Sequence, residues 1–309
     1  MTNQPIDTNS LSQISRRQLL SGAAGIAAGA ALCVPASSAD EIKQAATKGR
    51  INQSIVNWCF SKYWKAEQLI QIAQKLGCKS VELINPKHWP TLKKHGLTCA
   101  IASINMSPDP PFVKGINNPK YQPRVIEVTK KTIETCAEHG VKNVISFTGM
   151  REDISDEDGI KNCVAGYKKL VGYAEQKKVT ICLEMLNTRD DTHPMKGHPG
   201  YQGDHTEYCI EIIKKVGSPR LKLLFDIYHV QIMDGDVIRR IHQFKEYIAH
   251  VHTAGNPGRG ELDEKQEINY PAIMQALLDV GYKGYVGQEF IPTGDPLKGL
   301  SQAVALCDV

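Results

Sequence analysis

The sequence lacks the signatures of several large enzyme classes. No G-x-G-x-x-G follows an early strand: the first apolar run leads into Phe60-Ser61-Lys62-Tyr63-Trp64, and the glycines of 22–29 and 255–260 stand in the wrong context or spacing. This argues against an open dinucleotide-binding sheet with a phosphate-cradling turn. There is no P-loop and no H-E-x-x-H. Nine cysteines are present, yet none form a C-x-x-C pair, so neither a zinc knuckle nor a thioredoxin-type site is signalled and mostly free thiols are expected. The net charge is only +4, part of it in the leader, and elsewhere Lys and Arg alternate with Asp and Glu. Nucleic-acid binders carry a basic stripe that is missing here. No apolar run approaches the roughly 20 residues of a membrane span, so a stable membrane anchor is not expected.

What is present fits one globular domain. The chain has 309 residues, 41% hydrophobic and 23% charged. An eight-fold barrel typically needs about 250. The first 39 residues read as a targeting segment: a polar start, then Arg16-Arg17-Gln18-Leu19-Leu20, a short Gly/Ala-rich run over 22–31, and Ser37-Ser38-Ala39 as a cleavage site. The Arg-Arg pair ahead of a weakly apolar run resembles a twin-arginine leader, which implies an exported, periplasmic location. Residues 40–309 then form the folded domain.

After residue 50 one rhythm repeats. Short apolar runs at 54–59, 80–84, 98–104, 143–147, 180–186, 221–227, 249–253 and 285–290 alternate with amphipathic stretches such as 66–76, 124–138, 164–176, 207–216, 237–246 and 271–278. Gly77 and Gly140 stand just past helix ends, where a left-handed residue is wanted. Eight strand–helix units without a long insertion imply an α/β fold of one class, a single (β/α)₈ TIM barrel.

Four of the later strands end in ligand-type residues: Glu184 after Cys182-Leu183, Asp226 after Leu224-Phe225, His252 after His250-Val251, and Glu289 after Gly287-Gln288. Barrels build their active sites at that end of the strands. Charged groups there are costly unless paired or metal-bound. Three carboxylates and one imidazole suit a single divalent metal ion, Mn, Mg, Co or Zn, better than a thiolate set would.

At these residues the sequence resembles the xylose isomerase-like TIM barrels, and within them the hydroxypyruvate isomerase group. The matching stretches are Leu183 to Asp190, Phe225 to Gln231, His250 to Arg259, Glu267-Ile268-Asn269-Tyr270 and Gly287 to Phe290. The resemblance covers essentially all of 50–309. It implies that Glu184, Asp226, His252 and Glu289 hold the metal and that Glu184 and Glu289 also move protons as catalytic residues. The position of His252 is often Gln in hydroxypyruvate isomerases and His in the ketose 3-epimerases. The implied reaction isomerises a small hydroxy-carbonyl compound or sugar through an enediolate, as in conversion of hydroxypyruvate to tartronate semialdehyde. A ketose 3-epimerase or an inosose dehydratase-like enzyme shares the same parts, and an exported carbohydrate-binding protein with a silent metal site is the alternative outside enzymes. Substrate contacts are expected from His229, Arg259 and His198, and Glu82, at the end of the second strand, is expected to orient substrate or a ligand. Tyr201 shares a loop with His198 that would cover the site, and Trp58 would form an apolar wall. The expected partner is the small-molecule substrate, not nucleic acid; a homo-oligomer is compatible with the sequence.

The leader generates the first prediction. Wild-type precursor is cleaved near Ala39 on export, and Arg16→Lys with Arg17→Lys holds it in the cytoplasm. Cell fractionation with N-terminal sequencing checks this; normal export of the double variant points to another route.

Overall fold

A computed structural model describes residues 42–309. The expected leader, with Arg16-Arg17, Cys33 and the expected cleavage site at Ala39, lies outside the described residues. Among the described residues one parallel sheet contains β1 (Asn52–Val56), β2 (Ser80–Glu82), β3 (Asn143–Phe147), β4 (Thr180–Glu184), β5 (Leu221–Asp226), β6 (Ile248–Thr253) and β7 (Tyr285–Gln288). They pair in the order β2-β1-β7-β6-β5-β4-β3.

The two edge strands do not meet directly. Between them runs the segment 98–102, where Thr98 bridges in parallel to Ser80 and Ala102 to Val144. It stands where the sequence calls for the third of eight strands, and it closes the barrel. It falls short of a regular strand for a local reason: the Ala100 N–H donates to the Ser80 hydroxyl at 2.8 Å rather than to a neighbouring carbonyl. A side chain has replaced one rung of the ladder.

The helices are α1 (Asn57–Phe60), α2 (Ala66–Leu76), α3 (Trp89–Lys94), α4 (Gln122–His139), α5 (Asp156–Lys168), α6 (Val171–Lys177), α7 (Thr206–Val216), α8 (Ile227–Met233), α9 (Val237–Phe244), α10 (Tyr270–Asp279) and α11 (Pro296–Leu306). Gly77 and Gly140 close α2 and α4 with φ of 86° and 77°, a conformation a side chain would strain. Two expectations change. The apolar run at 54–59 is a strand only to Val56 and then turns into α1, because apolar content alone does not separate a buried strand from a buried helical turn. The single helix over 164–176 is two, α5 and α6, joined by a tightened turn in which Lys169 N bonds Gly166 O and Leu170 N bonds Tyr167 O. The start of α5 is Ser155, whose hydroxyl accepts from Asp158 N, a capping arrangement that satisfies a free helix donor.

The strand faces divide the molecule in two. Outward-facing residues such as Leu183, Leu223, Phe225 and Val251 pack with the helices into the main core. Inside the barrel, Ile101, Ile145, Phe147, Cys182, Leu186 and Leu224 form a smaller apolar cluster on one side. The opposite side is polar: Ser54, Glu82, His250 and His252 are all fully buried there. The eight cysteines among the described residues are free and buried. Burial pushes the Cys78 thiol up to about 12, which leaves it protonated and unreactive.

The bottom of the barrel is tied by Asp308. Its carboxylate accepts from the backbone N–H groups of Thr47, Lys48 and Gly49 and from the Thr47 hydroxyl. Burial alone would raise this carboxyl, but the amide donors of Lys48 and Thr47 hold it below the usual aspartate range. A depressed folded-state value means the contribution is complete at neutral pH and is lost as pH falls through that value. Asp308→Ala should therefore lower unfolding stability by about 1–3 kcal/mol at pH 7, the penalty for stranded backbone donors. Urea melts of both proteins should show the gap narrowing below about pH 4.

Candidate metal centre and active site

Each of the four ligand-type residues sits where a strand hands over to the next element. Glu184 and Asp226 are the last residues of β4 and β5, His252 lies one residue before the end of β6, and Glu289 directly follows β7. Register places Asp226 beside His252 and His252 beside Gly287. One donor atom from each of Glu184, Asp226, His252 and Glu289 falls within 4.8 Å of all the others, and all four residues are buried.

Local bonding orients each donor. Asp226 caps α8: its Oδ1 accepts from Tyr228 N at 2.8 Å and His229 N at 3.4 Å. That leaves Oδ2 for the site. The carbonyl of Glu184 accepts from the Tyr201 hydroxyl, which itself accepts from Thr148 N, so one phenol pins the ends of β3 and β4 together. Glu289 Oε1 accepts from Trp58 Nε1 at 3.0 Å, and Oε2 is bonded by Arg259. His252 Nε2 lies 2.8 Å from Glu82 Oε1, which turns Nδ1 toward the carboxylates, 3.0 Å from Glu289 Oε2 and 3.4 Å from Glu184 Oε1.

The electrostatics follow from burial. Removal from water raises Glu184, and the neighbouring Glu289 carboxylate adds to it. Burial lifts Asp226 to about 7 against the pull of Arg259. Glu289 goes the other way: burial opposes its ionisation, but His252 and Arg259 outweigh that and hold it well below the usual range. Arg259 is fixed over the site at φ 55°. Its guanidinium lies 5.4 Å from the Trp58 ring centre and 5.7 Å from that of Tyr228, and it donates to Met195 O.

These residues fit a divalent cation. Glu184 Oε1 and His252 Nδ1 are buried, 3.4 Å apart, and neither forms a hydrogen bond to a described residue. Buried polar atoms are nearly always satisfied. An oxygen-rich set with one imidazole is the donor chemistry of Mn²⁺, Mg²⁺, Co²⁺ or Zn²⁺.

A cavity of about 250 Å³ opens onto the cluster, lined by Trp58, Phe112, Phe147, His198, Arg259 and Glu289 among others. His198 packs edge-on to Phe112 with ring centres 4.4 Å apart. Burial, with Arg259 adding, lowers its imidazole to about 4, so the ring is neutral near pH 7. His229 Nδ1 accepts from Asn187 N at 3.1 Å. In the neutral ring the proton then sits on Nε2, which faces Asp226 Oδ2 at 3.5 Å.

Most of the sequence-derived residues therefore meet at one point. Of the two roles expected of Glu82, its place is beside a ligand rather than beside substrate: it lies fully buried beneath the cluster, bonded to His250 and His252. Arg259 is engaged with Glu289 and Asp226. Tyr201 is fully buried structure, not cover, and Trp58 is a donor as well as a wall. Sequence reasoning missed His250 and Asn187. His250 had a signal: two residues before His252 on a strand, it must share the inward face. Asn187 had none, because its role depends on a long-range contact.

The family model of xylose isomerase-like TIM barrels matches residues 70–307. A human protein provisionally named hydroxypyruvate isomerase is 42% identical over 130 residues, covering 42% of this chain and 45% of the human one. A 2-oxo-tetronate isomerase of Cupriavidus necator is 34% identical over 142 residues, covering 45% of this chain and 52% of its own. The chain thus spans about half the length of the curated relatives it matches. A solved Brucella melitensis protein described as an AP endonuclease of family 2 superposes with a TM-score of 0.69 at 23% identity, covering 82% of this chain and 98% of its own; at that identity the likeness is one of fold.

Purified protein is expected to hold about one divalent ion per chain, as an isolated mixed oxygen–nitrogen site does. Glu184→Gln and Asp226→Asn each remove an anionic donor and should lower occupancy in elemental analysis. Full occupancy in both variants would sink the four-donor assignment.

Proposed function

Because the chain belongs to the xylose isomerase-like TIM-barrel family, we propose that it is a metal-dependent isomerase of a small hydroxy-carbonyl compound, of the hydroxypyruvate isomerase type. The observation that carries this is the convergence of Glu184, Asp226, His252 and Glu289 at the mouth of a small cavity. The names of the relatives support the same reaction class. We further propose, from the Arg16-Arg17 pair and the short Gly/Ala-rich run after it, that the protein is exported and acts outside the cytoplasm.

A divalent ion bound by the four donors would act as a Lewis acid toward a substrate carbonyl and the charge that develops on its oxygens. The proton chemistry belongs to the side chains. Moving a carbonyl between neighbouring carbons requires one proton to leave one carbon and another to arrive at the next. Of the three carboxylates, Glu184 and Glu289 line the cavity, at the ends of β4 and β7, so one can take the proton from carbon and the other return it. The fixed charge of Arg259, which lines the cavity, faces a substrate carboxylate or hydroxyl, while His229, fully buried with Nε2 toward Asp226 Oδ2, positions that carboxylate.

The test offers hydroxypyruvate, tartronate semialdehyde, ketoses and inosose to metal-loaded enzyme in deuterated water. Deuterium is expected at the substrate carbon with wild type and not with Glu289→Gln, whose rate should fall about 10²–10⁴-fold. Turnover without solvent exchange would replace proton transfer by a hydride shift. Tight sugar binding with no turnover would favour a binding protein.

A further inference from the structure

Below the four donors lies a second buried group, Glu82, His250 and His252. All three are fully buried. Glu82 Oε1 lies 2.8 Å from His252 Nε2 and 2.8 Å from His250 Nε2, and the two rings stand at 89° with centres 5.0 Å apart. The contact is not between neighbours. In the order β2-β1-β7-β6, β1 and β7 separate Glu82 from the histidines, so its side chain crosses the barrel interior.

That crossing is open only because the intervening strands present almost no side chain. The row beside His252 continues through Gly287 to Ser54. A Cβ on Gly287 would come within 2.5 Å of Glu82 Oε1 and 2.9 Å of His252 Cδ2. Gly287 has no need of a left-handed backbone, since it is absent from the positive-φ residues. Its lack of a side chain is explained by the carboxylate passing over it.

We propose that Glu82 is the positioning residue of the metal centre: it holds His252 through Nε2 so that the Nδ1 lone pair faces the Glu184–Asp226–Glu289 carboxylates, with His250 as a second clamp on the same oxygen and Gly287 as the gap that admits it. This rests on the metal reading above. An imidazole that donates one ring N–H to a fixed carboxylate has its tautomer set, which leaves the other nitrogen free to coordinate. His250 lets the carboxylate bear two donors at once, so Glu82 cannot swing away from His252 without stranding His250. His250 Nδ1 and Glu82 Oε2 make no hydrogen bond to a described residue, so the clamp is carried by the one shared oxygen.

The test measures Zn²⁺ and Co²⁺ affinity by competition with a chelating dye for the wild type, Glu82→Gln and Gly287→Ala, with stoichiometry from elemental analysis and folding from thermal melts. Glu82→Gln should bind metal about 10–100-fold more weakly, the usual loss when such an outer partner is removed, and still reach one ion per chain at saturation. Gly287→Ala should weaken binding in the same direction, although it removes no charged group, so a folding defect in one variant leaves the other decisive. Nitrogen NMR of the Zn²⁺-loaded wild type should show His252 protonated at Nε2, with the Co²⁺ absorption spectrum altered in Glu82→Gln. Unchanged affinity and spectrum in folded variants overturn the proposal. Two ions in the wild type and one in Glu82→Gln overturn it as well, because Glu82 is then itself a ligand. A wild type that binds no divalent ion, at any stoichiometry, removes the metal reading and this proposal together.

Discussion

Carboxylates gathered in a water-poor space repel one another. At an effective dielectric of 20, two unit charges 4 Å apart interact by roughly 4 kcal/mol, and here three carboxylates bring oxygens within 4.8 Å of each other and of an imidazole nitrogen. Much of the upper barrel answers to that constraint. Arg259 lies against Glu289 and Asp226, Trp58 donates to Glu289, and the α8 amides take one oxygen of Asp226. A divalent cation would bring further opposite charge to Glu184, whose Oε1 accepts no hydrogen bond from a described residue.

The same groups are also structural joints. Asp226 is at once the end of β5, the cap of α8 and a site donor. Tyr201 ties β3 to β4 through the carbonyl of Glu184. The carbonyl of Arg259 accepts from Ile291 N at 2.7 Å, which binds the loop after β6 to the chain leaving β7. The four-donor cluster is therefore built from strand ends already needed to close the barrel, and its geometry inherits the rigidity of the sheet.

The large-scale plan is legible in the sequence because it depends on periodicity and punctuation. Alternating apolar runs and glycine stops lead to the strands and helices, with α2 matching to the residue, and ligand-type residues at successive strand ends lead to the site. What is less legible depends on contacts between distant segments. The third strand loses its regular pairing to a single hydroxyl, Ser80. Glu82 stands at the end of β2 like any substrate contact, and only the paired geometry of β1 and β7 shows that it runs beneath the site. Asn187 orients His229 from a loop whose course no local pattern predicts. Arg259 is legible as a cation at the mouth, but its engagement with the carboxylates is a matter of three-dimensional charge balance.

The capping role of Asp226 makes the first turn of α8 a witness to the state of the site. The amides of Tyr228 and His229 both donate to Oδ1, so their protection from solvent exchange depends in part on where that oxygen lies. Any event that rotates this carboxylate changes how fast those two amide protons trade with water. Backbone exchange at Tyr228 and His229 would then report occupancy without a substrate, a coloured metal or a coupled assay. It would also follow the cluster in variants that no longer turn over.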